Sequence, residues 1–220
     1  MIKFVLVFAT AFLAIKAQAQ VQKDFELNAF LIGRQGLAGG GLNNYVDDVN
    51  NDASTTEDLG KFSNASFIAG EIILVSAANN GIGARYTITG GGVSGTQSGA
   101  KLELGTGLSD FSLVLKAMTE PKKFQVGVGL TAGVSTAFAV TTGTGNNKTT
   151  YSAPTQPVAR GFGLGRFNFG RFALHGEAGY LYARAPEVKN GDQKLTRTNG
   201  AAVDVDFSGV YLTVGIGFQF

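Results

Sequence analysis

VYLTVGIGFQF, residues Val210 to Phe220, stands at the end of the chain and decides its fold. Val210, Leu212, Val214, Ile216, Phe218 and Phe220 are apolar. Thr213, Gly215, Gly217 and Gln219 between them are small or polar, and Tyr211 is amphipathic. Alternation over this length specifies a β-strand with two unlike faces. One face is continuous grease; the other tolerates water or a crowded interior.

The same alternation recurs upstream. Strand one is expected at roughly 24–32, with Phe25, Leu27, Ala29 and Leu31 on one face and Glu26, Asn28, Phe30 and Ile32 on the other. A long polar loop, 33–64, follows. Strand two, 65–77, turns Ile68, Gly70, Ile72 and Leu74 outward and Glu71 inward. Ala78-Asn79-Asn80-Gly81 is a tight link, because Asn and Gly tolerate positive φ. Strand three, 82–90, puts Tyr86 and Ile88 outside and Arg85 inside, and 91–99 reads as a Gly/Ser loop. In strand four, 100–118, Leu102 and Leu104 share one phase and Phe111, Leu113 and Leu115 the other, so a β-bulge is expected near 105–109. Strand five, 124–140, alternates most cleanly: Phe124, Val126, Val128 and Leu130 out; Gln125, Gly127, Gly129 and Thr131 in. A polar loop covers 141–150. Strand six, 157–168, has no clear facing, since Phe162 and Leu164 share a phase with Arg160 and Arg166. Strand seven, 172–183, turns Tyr180 and Tyr182 outward and His175 and Glu177 inward. The last polar loop is 186–201, and strand eight is 202–220.

Eight strands with links alternating longer and short specify an all-β fold: an eight-stranded antiparallel up-and-down transmembrane β-barrel. Closure removes every unpaired strand edge, which hydrocarbon demands. Eight strands leave an interior that side chains nearly fill. Tyr86, Tyr180, Tyr182, Phe218 and Phe220 would form aromatic girdles at the two interfaces.

The start of the chain reads as a secretory signal, residues 1–19. Lys3 supplies the positive end, Phe4 to Ile15 an apolar run too short to span a bilayer, and Ala17-Gln18-Ala19 an A-x-A cleavage site. The barrel domain is then 20–220. Losing Lys3 and Lys16 leaves 16 basic and 16 acidic residues, hence no net charge and no basic excess for nucleic acid. With no cysteine, disulfides and thiolate metal sites are excluded.

Thr213, Gly215, Phe218 and Phe220 carry a resemblance. They fill the four specified positions of the terminal signal of Gram-negative outer-membrane barrels. The chain resembles the small eight-stranded members, of the outer-membrane protein A, X and W type. That resemblance implies recognition by the barrel-assembly machinery and periplasmic chaperones. It implies residence in the cell outer membrane among its lipids and lipopolysaccharide, with both termini periplasmic. No peptidoglycan-binding segment follows Phe220, so the tethering role of two-domain members is not implied.

The candidate chemistry lies in the lumen. Glu71, Arg85, Lys116, His175 and Glu177 point inward, with Glu26, Glu103 and Arg171 as further candidates. Opposite charges in a low-dielectric tube must pair or bind water. Two readings are open: a salt-bridge network that fills the lumen, or the charged constriction of a narrow pore. Lipid A deacylase barrels carry a His-x-Ser motif on the outer surface, whereas His175-Gly176-Glu177 has no serine and faces inward. Palmitoyltransferase barrels need an Asp-Ser pair, and here Ser109 precedes Asp110. Neither catalytic residues, a metal site nor a cofactor is expected; a single histidine argues against zinc. Gly161-x-Gly163-x-Gly165 lacks the βαβ context of a nucleotide loop.

Leu42, Tyr45, Val46 and Val49 recur at helical spacing in the first long loop, predicting a short amphipathic helix with Asp47 and Asp48 on its wet face. Asp52, Glu57 and Asp58 add to this loop's acidity, without EF-hand spacing. The last loop carries Lys189, Lys194 and Arg197 against Glu187 and Asp192. Since strands one and eight close the barrel, these two loops either attract each other across its mouth or stand as independent solvated loops.

The function expected is structural or surface-interactive: membrane integrity, or loop contact with an extracellular ligand or a host or prey surface. A porin-like channel or small-solute and hydrophobe transporter is the alternative, and a lipid-modifying enzyme the third.

Overall fold

In the computed structural model eight long strands pair each with the next and the last with the first. They are β1 (Asp24–Gly36), β2 (Asn64–Val75), β3 (Asn80–Gln97), β4 (Ala100–Met118), β5 (Phe124–Thr144), β6 (Pro157–Phe169), β7 (Phe172–Ala185) and β8 (Gly209–Gln219). Every pairing is antiparallel, and β8 closes on β1 through Leu27–Phe218 to Gln35–Tyr211. The structure describes residues 24–76, 80–120 and 123–220. The signal reading of residues 1–19, with Ala17 and Ala19, lies outside them, as do parts of the 78–81 link and of the turn after Met118.

The ring has two unlike halves. In the half nearer the chain termini the outer face is apolar: Val128, Leu130, Leu212 and Ile216 are all at least half exposed. Phe124 to Val134 alternates over a length that matches the roughly 9–11 residues a tilted strand needs to cross hydrocarbon. Phe167, Phe169, Phe172, Phe218 and Phe220 make a run of ring contacts, with centroids 4.9 to 6.4 Å apart, around the lower rim. In the other half the pattern inverts. Leu104, Leu108, Phe138, Val140 and Leu181 are buried inside, and small or polar residues such as Ser94 and Gly105 face out. The strands therefore run on beyond the apolar belt as a soluble-type barrel with a greasy core.

That inversion corrects the expected bulge near 105–109. β4 keeps one unbroken phase from Leu102 to Lys116, and its register with β3 is continuous. Leu102 and Leu104 point into the upper core, and Phe111 and Leu113 point outward into the apolar belt. The irregularity sits on the partner strand, where Thr136 and Ala137 of β5 both face out between buried Ser135 and Phe138. Another bulge turns both Leu31 and Ile32 outward, so Ile32 does not share a face with Phe30.

Two expected loops are strands. Residues 91–97 continue β3, and the connection to β4 is Ser98-Gly99 alone, both at positive φ (49° and 74°), as a two-residue hairpin of this kind requires. Residues 141–150 likewise form a hairpin, in which the strand Asn147–Ser152 folds back on β5. Conversely, β8 starts at Gly209 rather than Ala202, because Val205–Asp206 pairs back onto Ala185 and Arg184 of β7. β6 resolves with Arg160, Phe162, Leu164 and Arg166 all inward.

The first long loop holds α1 (Gly40–Asn50), which buries Leu42 and Val46 over the upper core. Two asparagine side chains stitch it to the returning chain. Asn43 exchanges hydrogen bonds of 3.0 and 2.8 Å with the backbone of Phe62, and Asn50 does the same with Leu59. Each amide pair substitutes for a rung of β-ladder and satisfies one backbone N–H and one carbonyl of the returning chain.

Candidate functional site: the sealed lumen and its roof

Each inward side chain of the lower half is placed by strand parity. Glu71 and Arg85 are register partners on β2 and β3. Arg85 Nη2 donates to Glu71 Oε2 at 2.6 Å and to Glu177 Oε1 at 2.7 Å, and Nη1 reaches Glu177 Oε2 at 2.9 Å. Lys116 Nζ lies 2.6 Å from Glu71 Oε1 and 3.3 Å from Glu177 Oε1, and Asn28 Nδ2 donates to Glu71 at 2.9 Å. The rings of Phe30 and Phe162 flank the Arg85 guanidinium at 4.5 and 5.1 Å. Favourable π faces and a dense set of charge-assisted bonds offset the desolvation of the four ions.

Room for this quartet comes from glycine. A Cβ on Gly129 would lie 2.3 Å from the Phe162 ring, and one on Gly179 would lie 2.6 Å from the Phe162 Cβ. Both residues face inward opposite that phenylalanine. They let its ring settle against the cations.

Above and below lie two more ion pairs. Arg160 grips Asp110 in bidentate fashion at 2.8 and 2.6 Å, and Ser112 Oγ adds a bond of 2.8 Å to the same carboxylate. Arg166 pairs with Glu26 and donates to Asn168 Oδ1 at 2.6 Å. Among the described residues the buried lumen charges are thus Glu26, Glu71, Asp110 and Glu177 against Arg85, Lys116, Arg160 and Arg166, four of each sign. His175 is buried beside Phe30, ring centroids 4.6 Å apart. Over this polar layer sits the apolar core, with Phe138 edge-on to Phe207 at 5.3 Å.

All five residues expected in the lumen set come together there, four in one network and His175 at its side. Glu103 and Arg171 do not join them. Glu103 faces out above the belt, where Lys101 and Lys148 hold its carboxyl down at about 2, and Arg171 is exposed in the β6–β7 turn. Asn28, Asp110, Arg160 and Arg166 were missed. An inward phase for β6 would have supplied both arginines. In the closing strand Thr213 is buried and donates to the Ile32 carbonyl at 2.9 Å. Gly215 packs so close that a Cβ would lie 2.4 Å from the Ala29 carbonyl. Phe218 and Phe220 join the lower aromatic run.

At the opposite end α1 and the last loop meet. Arg197 Nε and Nη2 donate to the Asp48 carboxylate at 3.0 and 3.1 Å, and the Thr198 amide adds a bond of 3.2 Å. The guanidinium and this amide hold the Asp48 carboxyl below its ordinary value, and the carboxylate in turn raises the pKa of Arg197. Asp48 is therefore turned to the partner loop rather than to water. Lys189 and Lys194 do not reach the first loop; both pair with Glu187 of their own.

No protein-family model and no characterised protein sequence matches the chain. Among solved structures, it is similar to the attachment invasion locus protein Ail of Yersinia pestis, in complex with the heparin analogue sucrose octasulfate. Identity is 12%, over 90% of this chain and 99% of that one, with a TM-score of 0.46. It is also similar to the outer membrane protease OmpT of Escherichia coli, at 8% identity over 90% of this chain and 96% of that one, with a TM-score of 0.42. The eight-stranded antiparallel barrel is established by the closed circuit of pairings from β1 to β8.

Proposed function

We propose that this chain is an outer-membrane barrel whose lumen is closed and whose working surface is its external loop assembly. The observation that carries the reading is the stacking of a charge-balanced, mutually bonded polar layer beneath an apolar core roofed by α1. A solute crossing the barrel would have to displace both. The apolar outer belt supports residence in lipid, since water-soluble proteins rarely leave so continuous a patch uncovered. In this reading residues 1–19 direct export and are removed after Ala19. Thr213, Gly215, Phe218 and Phe220 are read by the assembly machinery, and both termini stay in the periplasm. The role is structural or interactive rather than catalytic: Glu177, the residue nearest His175 in sequence that could act as its acid, is engaged by Arg85 and Lys116.

Single-channel recording of refolded protein in a planar bilayer tests this. Silence is expected from the wild type. A steady current that changes with Glu177→Gln would replace the closed-lumen reading with a charged pore.

A further inference from the structure

Between α1, the two tight hairpins and the last loop the roof leaves a cleft of about 510 Å³. Leu102 and Val49 supply its apolar lining. The half-buried ring of Tyr45 stands in its wall beside Thr142. The rim is polar. It carries the amides of Gln97 and Asn147 and the hydroxyls of Thr196 and Thr198.

Charge narrows the ligand class. Asp48 and Arg197 line the cleft, but each satisfies the other. Asp52 also lines it and accepts from the Ser54 amide and hydroxyl at 2.8 and 2.6 Å. No cation is left over for a sulfate or phosphate, and the balance is slightly acidic. Amides offer both donors and acceptors, and threonine hydroxyls rotate to serve as either. Paired with one aromatic face and an apolar lining, they match a molecule with hydroxyls at its edge and C–H bonds on its flat side. Shape supports this too, since four separate chain segments build the walls and the Arg197–Asp48 clamp fixes two of them before any ligand arrives.

We propose that this cleft binds a neutral saccharide unit, presented as part of a longer glycan. The inference rests on the surface-interaction reading and gives that surface its ligand class. A Tyr45 ring would pack on the sugar face, with Gln97 and Asn147 bonded to its hydroxyls.

The test uses the refolded full barrel in detergent micelles on an array of neutral, sulfated and sialylated oligosaccharides. The strongest ligand is then titrated by calorimetry. Neutral glycans are expected to bind. The Gln97→Ala, Asn147→Ala double variant should bind at least tenfold more weakly, and Lys123→Ala, at the opposite end, should match the wild type. A second arm titrates the polysaccharide cleaved from the expressing cell's own glycolipid, which separates a neighbour in the same membrane from an outside glycan. Absence of neutral-glycan binding in both arms, a preference for sulfated ligands, or an undiminished double variant would overturn the proposal. Bilayer silence with failed binding would leave the closed barrel standing, whereas a current with intact binding would do the reverse.

Discussion

Arg85 and Glu177 meet at 2.7 Å although they stand on β3 and β7, four strands apart in either direction around the ring. The pair spans the whole lumen. It ties opposite walls together through a contact that neither strand's neighbours can supply.

Removing one member leaves the others buried without balance. Arg85→Ala should destabilise the barrel by about 3–5 kcal/mol, the usual cost of an orphaned buried charge. Urea unfolding in lipid vesicles measures it. Arg85→Met combined with Glu177→Gln restores neutrality around Lys116 and Glu71, so the double variant should lose less than the single Arg85→Ala. An equal or greater loss would show that packing rather than charge pairing dominates the site.

Gly179 is the second target. A Cβ there would lie 2.3 Å from the Gly161 carbonyl oxygen and 2.6 Å from the Phe162 Cβ, so β6 must give way, and the expected loss on substitution by Ala is about 1–3 kcal/mol, as for other overpacked interiors. Gly163 faces outward in the apolar belt with nothing closer than 4.0 Å to a built Cβ, so Gly163→Ala serves as the tolerated control in the same unfolding assay.

The inversion along the barrel wall is testable with one residue type at two heights. Leu130→Arg places a charge in the apolar belt and should cost about 2–4 kcal/mol if it lies near the bilayer midplane. Ser94→Arg, on the same outer face but above the belt, should be close to neutral. Equal costs would mean that the upper half is not in water.

Acid should undock the roof. The Asp48 carboxyl titrates below its ordinary value of 3.8 in the folded chain, so its contribution to docking is complete above that value. The contribution is lost as pH falls through the lower, folded value. Pepsin nicking of the first and last loops should therefore rise at the acid end of a series below about pH 4. In Arg197→Gln it should already be high and show no such rise. Lys194→Glu should leave α1 docked, since Lys194 pairs with Glu187.

Much of the lower barrel is legible in the chain. From Phe124 to Val134, and from Val210 to Ile216, lipid outside and crowding inside act on alternate residues, so alternation reports facing directly. Glu71, Arg85, Lys116, His175 and Glu177 could each be set by parity on the face opposite the apolar run of the lower strand. The helix over Leu42 to Val49 was legible for the same reason, since one face meets grease and the other does not.

What the sequence by itself determined is parity: which residues share a face, and hence that the chain folds as eight two-faced strands. Which face is inside, and who meets whom across the lumen, only the tertiary structure decided. Apolar residues mean outside where the surroundings are lipid and inside where they are water. Leu104 and Leu113 on one strand therefore carry the same signal with opposite meanings. The pairing of Arg85 with Glu177, or of Arg197 with Asp48, depends on barrel closure, which brings together residues that no local spacing connects.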